Sequence, residues 1–279
     1  MNMKRFFVPM AAFTFAVTAI AQDLPQASPK GEVEQIVGLT KVEVEYSRPS
    51  VRGRQIFGDL LPYGSPWRMG ANAATTIEFS GPVVFEGTKV EKGEYSMFAI
   101  PHEGAWEIIL NRNPKQWGNN RDEKEDILHV KAKAEPTEFT ETLTISFDEV
   151  KDDKARMDIR WEKTRVSVWI HADATEKSLE NIKAALAGKE VGAGSYASSA
   201  RFVLERGLMT KEALTWAQKA VDMDPRYYWL HTLALAQAAN GQYKEAIGTA
   251  EKSMAGAKEA KDMAYVKMNE AKIKEWSSK

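Results

Sequence analysis

The stretch from Tyr46 to Thr76, "YSRPSVRGRQIFGDLLPYGSPWRMGANAATT", contains four arginines and a tryptophan, side chains that commonly bind ligands. A guanidinium keeps its charge in proteins, and its fork of N–H donors fits a carboxylate, sulfate or phosphate. Trp67 adds a flat apolar face that can stack on a sugar ring or on an arginine. The arginines of the stretch are Arg48, Arg52, Arg54 and Arg68.

Two further sequence features make this stretch a candidate binding site. Its prolines stiffen the backbone and its glycines permit tight turns, and long loops of this kind are often functional. A second segment, "NRNPKQWG", adds another tryptophan, and we predict that it joins the same cluster. The predicted ligand-binding residues are Arg48, Arg52, Arg54, Trp67, Arg68, Asn72, Thr75 and Trp117, and the predicted ligand is a small anion or a carbohydrate.

A structural role is the alternative interpretation of the same residues. In that case the arginines and tryptophans close one end of a barrel by stacking and by buried ion pairs. The acidic partners would be Glu78, Glu94 or Asp148.

The sequence predicts no metal and no cofactor, and it leaves any catalytic residue unknown. The chain has no cysteine, which excludes disulfides, thiolate ligands and a cysteine nucleophile. Its four histidines lie far apart without metal-ligand spacing, and no nucleophile elbow, phosphate-binding loop or dinucleotide fingerprint occurs. An enzyme would need a general acid or base beside the arginines, and His102 and Asp59 are the nearest in sequence.

Period-two alternation predicts an antiparallel β domain over residues 31–173. "KVEVEYS" places Val42, Val44 and Tyr46 on one face. Short strands at roughly ten-residue spacing are typical of a β-sandwich or a jelly-roll-like barrel. The segment "ARMDIRWEKTRVSVWIHA" reads as a hairpin. Its inward residues would be Met157, Ile159 and Trp161 on one strand and Val166, Val168 and Ile170 on the next.

Strand signals end at Asp173 and helical periodicity follows. Residues 174–194 are predicted to form a connecting helix and linker, and residues 195–279 an all-α domain of helical hairpins. Gly207 and Gly241 lie 34 positions apart, and Ala213 and Ala246 lie 33 apart, which resembles tetratricopeptide repeats. The first copy lacks the aromatic residue after its glycine. We expect the hairpins to bind a protein partner, the alternative being a plain helical bundle that packs on the β domain.

The first residues have the pattern of a cleaved export signal. Lys4 and Arg5 precede an apolar run that ends in Ala-Ile-Ala, which predicts a signal peptide over residues 1–21 and a polar lead over 22–30. The run of about sixteen residues is short for a membrane span, so a retained anchor is the weaker alternative. The predicted location is periplasmic or secreted.

A longer motif links these segments to a known family. The runs "SRPSVRGRQIFGDLLPYGSPWRMGANAATTIEF", "GEYSMFAIPHEGAWEIILNRNPKQWG" and "DILHVKAKA" closely resemble domain of unknown function 2911. This is a family of exported bacterial proteins, mostly of Bacteroidetes-type organisms, that often end in helical repeats. The resemblance spans about Pro25 to Ala172 and implies a β-rich exported domain but no activity. Met69 departs from the commoner threonine. The matching residues are Arg48, Pro49, Arg52, Gly53, Arg54, Phe57, Gly58, Trp67, Arg68, Gly70, Ala71, Asn72, Thr75, Trp117 and Gly118.

These features favour an exported, non-catalytic binding protein. A net charge of -1, with no clustered basic excess, argues against nucleic acid as a partner. Two alternatives stay open: an enzyme that acts on an envelope glycan or phosphorylated component, and a purely structural assembly module.

Overall fold

A computed structural model describes residues 24–279. The predicted signal peptide and the first residues of the polar lead lie outside the described residues. The chain divides between Asp173 and Ala174 into a β unit and a helical unit.

The described part of the β unit contains nine strands, and every paired neighbour is antiparallel. Their spatial order is β1-β2-β3-β6-β7-β8-β9-β4-β5. The strands are β1 Lys30–Val37, β2 Thr40–Ser47, β3 Thr75–Phe79, β4 Val83–Phe85, β5 Thr88–Val90, β6 Gly93–His102, β7 Ala105–Asn111, β8 Asp126–Lys151 and β9 Lys154–His171. The antiparallel β domain predicted from the alternation is therefore present.

Strand β8 connects the two layers of this unit. Its first part pairs with β7 as far as Lys133, and its second part pairs with β9 from Ala134 onward. The segment after β2 then bonds to the middle of β8, because Val51 N donates to Glu141 O at 2.7 Å and Leu143 N donates to Pro49 O at 2.9 Å. These bonds curl the sheet around one apolar core.

Four aromatic residues form the centre of that core. The rings of Trp67 and Trp161 stack with centroids 5.6 Å apart, and Trp106 meets Trp67 edge-on at 5.8 Å. The ring centroids of Phe57 and Trp106 lie 5.1 Å apart. Trp67 is 2% exposed, so a loop residue is embedded as deeply as the strand residues that it contacts.

The hairpin predicted for residues 155–172 is wrong, because β9 is one continuous strand of 18 residues. The buried positions change phase between Trp161 and Val166. Glu162 has a φ of 54°, and the pairing with β8 is irregular there. A β-bulge shifts the side-chain alternation without reversing the chain, and the sequence pattern does not separate a bulge from a turn. Strand β1 was not identified from the sequence.

One tyrosine hydroxyl joins the two layers. The Tyr46 hydroxyl accepts a hydrogen bond of 2.9 Å from Ile145 N, and both residues are buried. A buried backbone N–H without a partner carries its full desolvation cost.

We expect Tyr46→Phe to lower the free energy of unfolding by about 1–3 kcal/mol, because the Ile145 N–H loses its acceptor. Urea unfolding followed by tryptophan fluorescence measures this. The control is Tyr63→Phe, at an exposed tyrosine whose hydroxyl bonds to no described residue. Equal stability of the two variants would contradict the assignment.

The helical unit contains six helices. They are α1 Thr175–Leu186, α2 Ala193–Glu205, α3 Thr210–Met223, α4 Tyr227–Ala239, α5 Tyr243–Glu259 and α6 Met263–Trp276. Small residues such as Ala213, Ala217, Ala246 and Ala250 are fully buried where successive helices pack. In the described part of the chain, no helix combines the length and apolar character that a membrane crossing requires.

A buried polar chain links three of these helices. His231 Nδ1 lies 2.8 Å from Asn269 Oδ1. Asn269 Nδ2 donates to the Ser253 hydroxyl, which donates to the carbonyl of Tyr227. Because the Asn269 amide donates through nitrogen, its oxygen accepts, and His231 Nδ1 carries a proton. Burial lowers the pKa of His231, and the positive charges of Arg201 and Lys272 act in the same direction.

The direction of this shift sets a pH dependence. The unfolded histidine has its ordinary pKa of about 6.5, whereas the folded one protonates only at lower pH, so the unfolded state binds more protons between the two values. We expect stability to fall as the pH drops below about 6.5, and His231→Gln to reduce that fall because glutamine keeps a donor for Asn269. Thermal melts at 222 nm between about pH 7.5 and pH 5 measure it. Identical slopes in the wild type and in His231→Gln would contradict the prediction.

Candidate functional site

Arg48 and Arg54 support the backbone around the closure between the layers. Arg48 donates from Nε to the carbonyl of Leu143 at 3.1 Å, and its Nη2 donates to the Thr144 hydroxyl. Arg54 donates to the carbonyls of Val51 and Ser50 at 3.0 and 2.7 Å. The N–H donors of Arg48 and Arg54, which we predicted to bind a ligand, thus form hydrogen bonds within the protein.

Arg52 and Asn72 hold the polar lead against the β unit. Arg52 Nη2 donates to Ala27 O at 3.0 Å, and Asn72 Nδ2 lies 3.3 Å from both Ser28 O and the Ser47 hydroxyl. Both residues have a positive φ, 52° and 58°. Asparagine adopts this region more readily than most residues, which accounts for its type at position 72.

Trp67 and Thr75 are inaccessible to a ligand. The Trp67 indole donates to Gly70 O at 3.0 Å inside the core, and Thr75, which is fully buried, donates to Met69 O. A Cβ at Gly70 would lie 2.9 Å from the backbone oxygen of Ser47, so only glycine fits there. Stacking of a ligand on Trp67, as predicted from the sequence, does not agree with this burial.

Arg68 and Trp117 do come together, through pairing of the two loops. Ala73 forms a β-bridge with Trp117, and Ala74 N donates to Gln116 O at 3.0 Å. Arg68 Nη1 donates to Asn119 Oδ1 at 2.8 Å, which fixes one end of its guanidinium. The Trp117 side chain is 75% exposed. We define the Arg68 site as Arg68, Trp117 and Asn119.

No acidic side chain among the described residues pairs with the charge of Arg68. Its Nε is buried and has no hydrogen-bond partner among the described residues, and burial lowers the pKa of its guanidinium. Within residues 24–279, no carboxylate forms an ion pair with any of the four arginines of this loop. The ion pairs with Glu78, Glu94 or Asp148 required by the closure alternative are therefore not formed. A half-buried cation without a partner is costly unless an anion binds.

A satisfied polar network lies in the same second loop. Arg121 and Asp126, both with side chains 4% exposed, are paired at 3.0 Å, and Asn111 Nδ2 donates to Asp126 Oδ1 at 2.8 Å. Burial alone raises the pKa of Asp126. The hydrogen bonds from Arg121 and Asn111 outweigh that effect, so the pKa lies below its ordinary value. This network anchors the loop that carries Trp117 and Asn119.

The histidine of this region is not free to act as a general base. His129 Nε2 lies 3.0 Å from Asp126 Oδ2, and its Nδ1 lies 2.5 Å from Glu107 Oε1. Both ring nitrogens therefore face carboxylates. A general base needs an unoccupied nitrogen directed at the substrate.

Sequence reasoning missed Asn119, Asn111, Arg121 and Asp126. Only Trp117 and Gly118 had been selected from "NRNPKQWGNNRDEKED". The available signal was the density of asparagine and aspartate directly after β7, since such residues bond to nearby backbone and shape loops.

One group of carboxylates elsewhere has the spacing of a metal site. Glu32, Glu34 and Glu43 place one oxygen each within 4.8 Å of the others. Lys41 Nζ lies 2.5 Å from Glu43 and 3.7 Å from Glu34, so an ammonium group already occupies the cluster. We assign no metal to it.

Arg68→Met should separate a functional from a structural role for the Arg68 site. If the guanidinium serves a ligand, its removal leaves the free energy of unfolding unchanged or raises it. The gain is about 1 kcal/mol at most, because solvent screens a half-buried charge. Urea unfolding without added anions measures this. Arg112→Met, at an exposed arginine paired with Glu125, is the matched control. A loss of more than about 2 kcal/mol in Arg68→Met alone would show that the guanidinium holds the fold together.

Comparison with known proteins places the β unit in a family. The family model described as "Protein of unknown function (DUF2911)" matches residues 28–170, which is about half of the chain. The matched range includes all three residues of the Arg68 site and ends before the helical unit. No curated protein and no solved structure is significantly similar to the chain. The chain belongs to the domain of unknown function 2911 family.

Proposed function

We propose that this chain is a non-catalytic binding protein that takes up a small anionic or acidic carbohydrate ligand at the Arg68 site. The observation that carries the proposal is the half-buried guanidinium of Arg68, whose Nε has no partner among the described residues. An anion at this group would supply the missing counter-ion. Charge-assisted hydrogen bonds to guanidinium are among the strongest in proteins.

The surroundings of Arg68 support a ligand with an apolar face as well as a charge. Asn119 fixes Nη1, whereas Nη2 has no hydrogen bond to any described residue. Trp117 presents an exposed indole from the segment that pairs with Ala73. An exposed indole two residues from Asn119, the partner of this guanidinium, suits a ligand that combines a sugar ring with a carboxylate or phosphate.

Among the described residues, the three candidate acids and bases do not support a catalytic role at Arg68. His129 has both nitrogens facing carboxylates, and neither His102 nor Asp59 contacts Arg68. The enzyme alternative requires a titratable group within hydrogen-bond reach of the reacting atom, where arginine would stabilise developing charge.

We further propose that the helical unit is a short repeat array that binds a protein partner. Gly207 and Gly241 have similar positive φ angles, 66° and 77°, in the turns before α3 and α5. Ala213 and Ala246, six and five residues later, are both fully buried. Equivalent turns and buried small residues at this spacing support repeated helical hairpins.

Export to the periplasm or beyond is also part of the proposal. It rests on the basic and apolar pattern of the first 21 residues. N-terminal sequencing of protein from the envelope fraction would identify a cut after Ala21, and a retained Met1 would exclude one.

Ligand stabilisation tests the Arg68 site directly. We expect one class among sulfate, phosphate, acetate, acidic sugars and peptidoglycan fragments to raise the Tm by several degrees at saturation, because a ligand that binds only the folded state stabilises it. Arg68→Met and Trp117→Ala should remove most of this shift while melting as cooperatively as wild type. Arg112→Met should keep it.

Two results would contradict this proposal. The first is that no ligand class shifts the Tm, and the second is that a shift survives in Arg68→Met. A ligand that is chemically altered during incubation would instead favour the enzyme alternative.

A further inference from the structure

A cavity of about 290 Å³ opens at one end of the β unit. It lies where the β6–β7 turn, the start of the second part of β8 and the irregularly paired part of β9 at Lys163 and Thr164 meet the loop segment 57–63. Here β8 leaves β7 after Lys133, and its pairing with β9 is irregular between Pro136 and Thr140. The regular pairing of the two strands is interrupted here, and bulges are common beside binding sites.

The cavity is lined on its apolar side by two aromatic residues of the core. Phe57 and Trp106 both line it, and their rings lie 5.1 Å apart. Phe57 packs against Trp161, and Trp106 packs against Trp67, so the core fixes the positions of both rings. Phe57 and Trp106 are only 8% and 2% exposed, so they form the floor of the cavity, and the 43% exposed ring of Tyr63 offers the aromatic surface for the C–H face of a sugar ring.

The polar side of the cavity is rich in uncommitted donors. Tyr63, His102 and Lys163 line it, all three are exposed, and none of them has a hydrogen bond or ion pair with a described residue. The Tyr63 ring packs closely against Gly58, because a Cβ added to that glycine would lie 3.0 Å from the ring.

The acidic residue of the cavity is already neutralised. Glu135 accepts from Arg165 at 2.7 Å and pairs with Lys133 at 3.1 Å. Hydrogen bonds from Arg165 and Lys133 lower the pKa of Glu135. The free charge that a ligand meets is therefore the ammonium of Lys163.

We propose that this cavity is a binding site for a single sugar ring that carries a carboxylate, such as a uronic acid unit. Its volume is close to the lower end of small-molecule sites, about 300–1,000 Å³, which suits one ring. The exposed ring of Tyr63 packs on the apolar face of the sugar, above a floor formed by Phe57 and Trp106. Lys163 pairs with the carboxylate, and Tyr63 and His102 bond to the hydroxyl groups.

This site is separate from the Arg68 site, and the inference does not depend on the proposed function. Trp67 and Arg68 are consecutive residues of a segment paired with β6 at Ala99. Successive side chains of an extended strand point to opposite faces. Trp67 is directed into the core behind the cavity, whereas Arg68 meets the second loop on the other face.

Isothermal titration calorimetry of the purified protein with D-glucuronate tests the proposal, with D-glucose and acetate titrated alongside. We expect saturable glucuronate binding at least tenfold tighter than that of either control, because only glucuronate has both the ring and the charge. Lys163→Met and His102→Ala should each weaken it at least tenfold. Lys131→Met, at an exposed β8 lysine that does not line the cavity, and Arg68→Met should leave it unchanged.

Each other outcome overturns the proposal. Absence of glucuronate binding, equal binding of glucose, or full binding by Lys163→Met would each exclude the assigned chemistry. Loss of binding in Arg68→Met with retention in Lys163→Met would place the sugar at the Arg68 site. That result would support the proposed function while removing the second site.

Discussion

The stacking of Trp67 on Trp161 is the interaction on which the rest of the β unit depends. Trp67 comes from the long loop after β2, Trp161 from β9, and Trp106, which meets Trp67 edge-on, from β7. One loop residue therefore ties the irregular part of the chain to both layers. Large buried aromatic side chains contribute several kcal/mol each to stability, so the loop is as firmly fixed as a strand. The stacking of Trp67 on Trp161 therefore stabilises the backbone around both proposed sites.

The same contact separates the roles of neighbouring residues. With Trp67 in the core, Arg68 is directed to the opposite face, where Asn119 fixes it and no carboxylate of residues 24–279 pairs with it. Arg48 and Arg54 instead donate to backbone carbonyls near the closure between the layers. A residue type that suggests ligand binding is thus used mainly for hydrogen bonding within the fold. The exception is Arg68, whose buried Nε has no hydrogen-bond partner among the described residues.

The two units are stabilised in different ways. The β unit buries large aromatic and branched side chains around one core, whereas the helical unit packs alanines at close range and carries a buried polar chain through His231 and Asn269. Hydrogen bonds in such a chain are directional, so they specify how α4, α5 and α6 fit together. Protonation of His231 disturbs this arrangement at acidic pH, because burial disfavours the charged imidazole.

The sequence by itself determined that a β unit precedes a helical unit and that the chain belongs to its family. It also identified the loop of residues 46–76, which carries the arginines and Trp67. Alternation such as Val42, Val44 and Tyr46 reports which face of a strand is buried, and that is a local property. It did not distinguish the irregular pairing around Glu162 from a turn, because both shift the alternation. Only the tertiary structure decided that Arg68 and Trp117 meet while Trp67 is buried. Contacts between segments distant in the chain depend on packing and pairing, which neither segment encodes alone.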